Sequence, residues 1–359
     1  MQPKGITFAL KSYELPMSLQ SISADSAFRE MDKAASQATP FLVVLDYELQ
    51  HAYFVAHPLS QSEIRFSIQG HGNATQIYSL QGKYTFEPYP EGIDRYSKRF
   101  EEIQRALYRG DSFLANLTIA TPLNMSLSLG QVYDHVTATY KLHIPGRLVC
   151  FSPEPFVHIS SDGIISSCPM KGTIDALLPN AEQTLRSDPK ELAEHYTIVD
   201  LIRNDLSRVS RQVEVKRFAY TERIETNHGP ILQMSSEING KLPEELQLCP
   251  GSVLRQLLPA GSICGAPKDA TMTAIARAEE TTRGFYSGIF GYFDGQSFSS
   301  AVMIRYIEQQ DKTLPEEEAA RSSSPTNPAY LFRSGGGITI HSEPEREYAE
   351  TQQKVYLPF

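Results

Sequence analysis

The sequence predicts an α/β fold of the α+β type, framed by large antiparallel sheets. Three observations carry this. Two Asp-Gly pairs lie between strand-like runs, in VHIS-SDG-IISS and in YF-DG-QSFSSAVMIRYIE. Such pairs mark hairpins, because the turn that matches strand twist needs positive φ at both central positions, and hairpin strands run antiparallel. Neither GxGxxG nor GxxxxGK[ST] occurs, so a dinucleotide-binding βαβ unit and a phosphate loop are both unsupported. The helical component shows in the spacing of Phe100, Ile103, Leu107 and Tyr108, which share one face between Asp94 and Tyr108.

In chain order, residues 1 to about 90 read as short strands: FLVVLDYE, AYFVAH, IRFSIQ and KYTFEPYP, broken by clusters such as Gly70 to Asn73. The helix of 94–108 stops at Gly110, and FLANLTIATPL follows as a strand. Glu194 opens a second helix whose face includes Ile198 and Leu201. Near the carboxyl end, Glu347 and Glu350 share a face of a helical turn, with Lys354 one turn further on. The polar, Pro- and Ser-rich segment from Glu308 to Asn327 reads as an exposed hairpin excursion or as disorder. The chemical signals divide the chain at about residue 90, into a strand-rich region 1–90 and a region 91–359 that carries the motifs.

The chain has 359 residues, 41% of them hydrophobic and 21% charged, which suits a globular protein of one large domain or two smaller ones. A formal charge of -9 argues against a nucleic-acid or anionic-membrane surface while leaving room for a local basic pocket. Cys150, Cys168, Cys249 and Cys264 lie far apart with no CxxC pair, and no apolar run approaches the ~20 residues of a membrane span. The start, MQPKGITFALKSYELP, lacks a secretory apolar core. Reduced thiols and a cytoplasmic location are expected.

Each chemical residue has a plain reading beside a functional one. Lys171, between a strand and a Gly-Thr step, is an exposed lysine or an amine that desolvation makes nucleophilic. Glu154 is a solvated carboxylate or an acid-base group. Glu347 and Glu350 repel one another, which a solvated face tolerates and a hard divalent cation relieves, and Glu194 could add a third carboxylate. Gly335, Gly336 and Gly337 form a flexible turn or a bare backbone that a ligand carboxylate can approach. Asp200, Arg203, Asn204, Asp205 and Arg208 read as bracing on and after one helix.

Taken together, in this order and spacing, the blocks SPE, P-x-K-G-T, EH-x3-VDL-x-RND-L-x-RV, GS-x-x-GAPK, RG-x-Y-x-G-x-x-GYF, IR and GGG-x3-HS-x-P-x-x-EY-x-ET-x-x-K resemble the chorismate-utilising enzymes. The resemblance covers residues 90 to 359. It implies two large antiparallel sheets packed as a sandwich with helices outside, a site in the cleft between them, and amino-terminal strands joined to the same core. It implies Mg2+ held by Glu194, Glu347 and Glu350. It also implies a chorismate pocket lined by Thr173, Lys268, Tyr286, Arg305, Lys354 and the amides of Gly335, Gly336 and Gly337.

Lys171 is the position that separates the branches. Anthranilate synthases have alanine in that block, whereas aminodeoxychorismate synthases typically have lysine. The resemblance thus implies a lysine that adds to the ring and expels the hydroxyl before ammonia displaces it, with Glu154 protonating the departing group. Enzymes of the family that use water carry a lysine base on an earlier strand; the matching stretch GDSFLANLTIATPL has none. Gln233 stands where a histidine tied to side-chain elimination is common. The short amino-terminal region leaves no expected tryptophan-feedback element. No G-x-C-x-G nucleophile turn is present, so the expected ammonia source is a separate glutamine amidotransferase subunit, and no lyase domain is expected past Phe359. The competing readings are anthranilate synthase component I and a non-catalytic scaffold for the glutaminase.

Overall fold

The computed structural model describes residues 20–224, 229–310 and 329–359; the excursion expected between Glu308 and Asn327 lies outside the described residues from 311 onward. Two antiparallel sheets form the framework. In the first, the spatial order is Ile22–Ser23, His51–Ala56, Phe41–Leu45, Ile289–Phe293, Phe298–Val302, Pro155–Ile159, Ile164–Ser167, Ile231–Lys241 and Met170–Asp175, with Arg211–Ile224 on the other side of Ile231–Lys241. In the second it is Gly265–Ala266, Leu114–Met125, Tyr330–Ile338, Tyr306–Gln309, Leu148–Ser152, Tyr140–Ile144 and Arg65–Ile68, with Phe86–Pro88 also paired to Leu114–Met125.

Alternation along strands explains why the sheets stack. All five residues of Phe41–Leu45 are buried, because both faces are covered. Leu42 and Val44 pack against Phe66, Leu142 and Cys150 of the opposite sheet, while Phe41, Val43 and Leu45 pack under helices. On the second sheet, Ala115, Leu117 and Ile119 meet Tyr96, Phe100 and Ile103 of the helix Ile93–Arg109. That helix ends as expected at Gly110, which holds φ 80° and donates to the carbonyls of Ala106 and Leu107. The first ninety residues do not stand apart, since Phe41–Leu45 pairs directly with Ile289–Phe293 in one sheet.

Three expectations need correction. Ala24–Ser36 is a helix where only strands were expected. Ser23 caps it by accepting from Ser26 N–H, and Ala24, Ala27, Phe28, Met31, Ala34 and Ala35 form the buried face. The periodic stripe is spelled mostly in alanine, so hydropathy understates it. Both Asp-Gly hairpins form, but with longer turns than the two-residue type. Only the glycines are left-handed, Gly163 at φ 76° and Gly295 at φ 104°. Asp294 instead closes its turn through Oδ1, which accepts from Gln296 and Ser297 N–H at 2.8 and 2.7 Å. Finally, Glu194 sits inside the helix Pro189–Ser207 rather than opening it, because Asp188 supplies the cap. No helix among the described residues is long and apolar enough to cross a membrane.

Candidate active site

Lys171 reaches the space between the sheets through a fault in strand pairing. Met170 lies opposite Ser235 and Thr173 opposite Gln233, so one strand advances three residues against the other's two. A bulge of this kind re-aims the side chains beside it. Gly172, at φ 89°, turns toward Pro189–Ser207, where a Cβ would lie 3.0 Å from Glu191 Oε2. Lys171 turns the other way. Its Nζ lies 3.7 Å from the point a Cβ on Gly337 would occupy, and Leu114 Cδ1 lies 3.2 Å from the same point.

The glycine run is not a flexible turn. Gly335, Gly336 and Gly337 belong to Tyr330–Ile338 and pair in register with Thr118, Leu117 and Asn116. On its other edge the strand is paired by Tyr306–Gln309 only as far as Arg333. The glycines therefore extend beyond that neighbour, and Lys354 Nζ donates to Gly335 O at 2.8 Å from the helix Pro344–Gln353. Gly336 faces that helix: a Cβ there would sit 3.5 Å from Glu347 Oε2 and 4.0 Å from both Glu350 Oε1 and Lys354 Nζ. Without side chains, the strand lets charged groups close in on bare backbone.

Glu347 is buried, and burial pushes its carboxyl above the usual range; the charges of Glu350 and Glu194 add to this against a Ser342 hydrogen bond and the attraction of Lys190. Burial alone would raise Glu350 too, but the ion pair with Lys354 at 2.7 Å, helped by Lys171 and Lys190, holds it below the ordinary value. Burial lowers the Lys354 ammonium against that pairing. Glu194 reaches to 4.0 Å from Lys190. Hard oxygen donors that repel one another suit a divalent cation in their chemistry. As they stand, no three His, Cys, Asp or Glu side chains among the described residues converge closely enough to hold one, and Glu350 is engaged by Lys354.

Glu154 sits on the turn between Leu148–Ser152 and Pro155–Ile159. Its Oε1 accepts from Ser262 Oγ at 2.6 Å. Burial lifts its carboxyl above the usual range, outweighing the Ser262 hydrogen bond and the positive charges of Lys171, Arg305 and Lys354. A carboxyl whose proton affinity is raised among cations has the chemistry of a proton donor.

Arg305 holds a left-handed φ of 54°, and its buried Nε has no hydrogen-bond partner among the described residues. A buried donor left open in this way suits an incoming anion. Tyr286 lies in the core between the sheets, its ring 5.8 Å from that of Tyr306 and its hydroxyl pushed up to about 12 by burial against the charges of Arg283 and Arg305.

The remaining two expected residues are placed differently. Thr173 is exposed beside Gln233. Lys268 is turned away from any ligand, because its ammonium pairs with Asp205 Oδ1 at 2.9 Å and donates to Leu257 O at 2.6 Å. Its role here is to anchor the GSICGAPK segment. The sequence reading assigned no task to Ser262, Glu191 or Lys190. Ser262 lies within a motif block and Glu191 one turn before Glu194, so the signal was spacing rather than residue type.

The model of the chorismate binding enzyme family matches residues 17–358. An uncharacterised PabA-like protein of Pasteurella multocida is 45% identical over 341 residues, covering 94% of this chain and 99% of that protein. Aminodeoxychorismate synthase component 1 of Bacillus subtilis is 30% identical, over 75% of this chain and 55% of that one. Anthranilate synthase component 1 of Acetivibrio thermocellus is 34% identical, over 66% and 45%. A solved Bacillus anthracis structure, described as a 2,3-dihydroxybenzoate-specific isochorismate synthase, shares the fold with a TM-score of 0.65, covering 94% of this chain and 89% of that chain at 18% identity.

Proposed function

Because the chain belongs to the chorismate-binding enzyme family, we propose that this chorismate-utilising enzyme is the aminodeoxychorismate synthase component I of its cell, replacing the ring hydroxyl of chorismate with an amino group. One observation carries the reading: the amine of Lys171 stands beside Gly337 on the far side of the cleft, within electrostatic reach of Glu154, whose carboxyl is raised.

The residues divide the work. Arg305, Tyr286 and the glycine backbone receive the carboxylates of chorismate, and Lys354 adds a partly buried positive charge beside Gly335. Lys171 forms a C–N bond to the ring while the ring hydroxyl leaves as water, taking its proton from Glu154. Ammonia then forms the second C–N bond as the lysine amine departs. Leu114, against the same point as the Lys171 amine, keeps an apolar neighbour where a water-activating base would be needed for hydroxylation. Glu194, Glu347 and Glu350 would hold Mg2+, which would neutralise substrate carboxylate charge. A separate glutamine amidotransferase subunit would supply the ammonia.

The test is product identification by mass spectrometry after incubation with chorismate, Mg2+ and ammonium at mildly alkaline pH. Aminodeoxychorismate without pyruvate or anthranilate supports the proposal. Anthranilate with pyruvate sinks it and moves the chain to the tryptophan branch, the reading favoured by the anthranilate synthase relative.

A further inference from the structure

Ser262 sits in the four-residue helix Gly261–Cys264, on a segment clamped from four sides. Gly261 lies so close to Asp205 that a Cβ would stand 2.7 Å from its Oδ2, and Lys268 ties the same Asp205 to the segment's end. Arg283 Nη1 donates to Ile263 O at 3.1 Å. Gly265 packs against the backbone of Leu114, where a Cβ would fall 1.7 Å from the Leu114 oxygen, and Phe113 N–H bonds Ala266 O at 2.8 Å. The hydroxyl carried by this segment is therefore a fixed donor, and the group it meets is Glu154 Oε1, at 2.6 Å and 108 residues away in sequence. Glu154 Oε2 accepts no hydrogen bond among the described residues.

We propose that Ser262 is a positioning residue for proton delivery, occupying Oε1 of Glu154 so that Oε2 faces the departing hydroxyl. The inference rests on the reading of Glu154 as the acid. It deepens that reading in a definite way. When Glu154 gives up its proton it becomes a carboxylate, and the Ser262 O–H strengthens as that charge develops, so the contact favours the transition state over the resting acid. The charged groups that face Glu154 are Lys171 from Met170–Asp175, Arg305 from the turn before Tyr306–Gln309, and Lys354 at the end of Pro344–Gln353. All three remain in a Ser262 variant, so substitution isolates the hydroxyl.

The experiment is a pH profile of kcat and KM for the full chain with chorismate, Mg2+ and ammonium, comparing wild type with S262A, S262T and E154Q. A donor to the ionised form lowers the pKa of Glu154, so its loss raises that pKa and the acid persists to higher pH. S262A is expected to move the alkaline limb of kcat upward by about one pH unit and to lower kcat about tenfold. The KM for chorismate should change less than about twofold, since Ser262 acts on the acid rather than on substrate binding. S262T, which keeps the hydroxyl, should restore the limb. An unmoved limb in S262A, or a limb that S262T fails to restore in a protein melting like wild type, overturns the proposal. Should S262A not fold, S262C serves: its weaker thiol donor must give an intermediate shift, and an unmoved limb again overturns the proposal. Retained activity in E154Q overturns the underlying reading of the acid instead, so the two failures are distinguishable.

Discussion

The side-chain nitrogen of Lys171 and the backbone of Gly337 belong to different sheets and meet across the cleft, with 3.7 Å separating Nζ from the vacant Cβ position. A bulge at Met170 to Thr173 aims the lysine, and an unbroken ladder with Leu114–Met125 holds the glycine. The Lys171 side chain thus lies between two paired strands. Lys171→Ala should cut amination on the order of a thousandfold or more while leaving the melting temperature near wild type. Mass-spectrometric assay of the product with ammonium, beside a thermal melt, checks both halves; unchanged amination would remove the lysine from the mechanism.

The three glycines should respond differently to alanine. At Gly335 the Cβ would stand 2.8 Å from Leu117 O, a backbone atom that cannot yield, so Gly335→Ala should destabilise the fold. At Gly336 the nearest atom is 3.5 Å away, an ordinary contact, and the variant should fold normally. At Gly337 the one tight neighbour is the Leu114 side chain at 3.2 Å, and the Lys171 nitrogen at 3.7 Å is an ordinary contact. Gly337→Ala should keep most stability and lose activity, because the methyl fills the space beside the amine. Paired denaturant melts and activity assays of the series would expose an error in the placement of the strand if Gly336→Ala proved the least stable of the three.

Activity should fall as pH rises through the pKa of Glu154. Burial lifts that carboxyl above the ordinary range, and an acid works only while protonated, so the alkaline limb of kcat lies above where a solvated glutamate would put it. Glu154→Gln cannot donate and should lose about a hundredfold or more in kcat with KM little changed. A profile whose alkaline limb is identical in wild type and residual Glu154→Gln activity would assign that limb elsewhere.

Chorismate binding should require Mg2+ through Glu194, Glu347 and Glu350. Titration calorimetry with chorismate in the presence and absence of Mg2+ should show strong binding only with the ion. Glu347→Gln and Glu350→Gln should each weaken it by about tenfold or more. Equal affinity with and without Mg2+ would refute the carboxylate site.

Arg283 is a fully buried strut. Its guanidinium pairs with Glu279 at 2.6 Å and donates to the carbonyls of Ile263 and Asn116, tying the Ser262 segment to the strand opposite Gly337. Arg283→Ala leaves Glu279 buried without its cation and should cost about 3–5 kcal/mol of stability. Chemical denaturation reads this directly, and a loss under about 1 kcal/mol would mean that the pair is not the brace described.

Much was legible without coordinates. The stop of the helix at Gly110 follows from local conformational preference, and the strand Phe41–Leu45 from a short apolar run. The shared face of Glu347 and Glu350 follows from helical spacing. The helix Ala24–Ser36 is not legible because alanine carries its stripe, and the turn geometry at Asp294 because a side-chain oxygen replaces a left-handed residue.

Residue type and spacing by themselves determined the antiparallel sheets, the family and the inventory of charged groups, because hydrophobic period and turn chemistry act over a few residues. Which of those groups meet was decided only by the packing of one sheet on the other. Lys171 faces Gly337 because a bulge shifts the side-chain register. Ser262 faces Glu154 because four distant contacts clamp its segment, and Lys268 is withdrawn because Asp205 and Leu257 satisfy its ammonium. A pattern within one segment constrains its own backbone angles, whereas the approach of two segments far apart in sequence depends on the volumes and hydrogen bonds of everything between them.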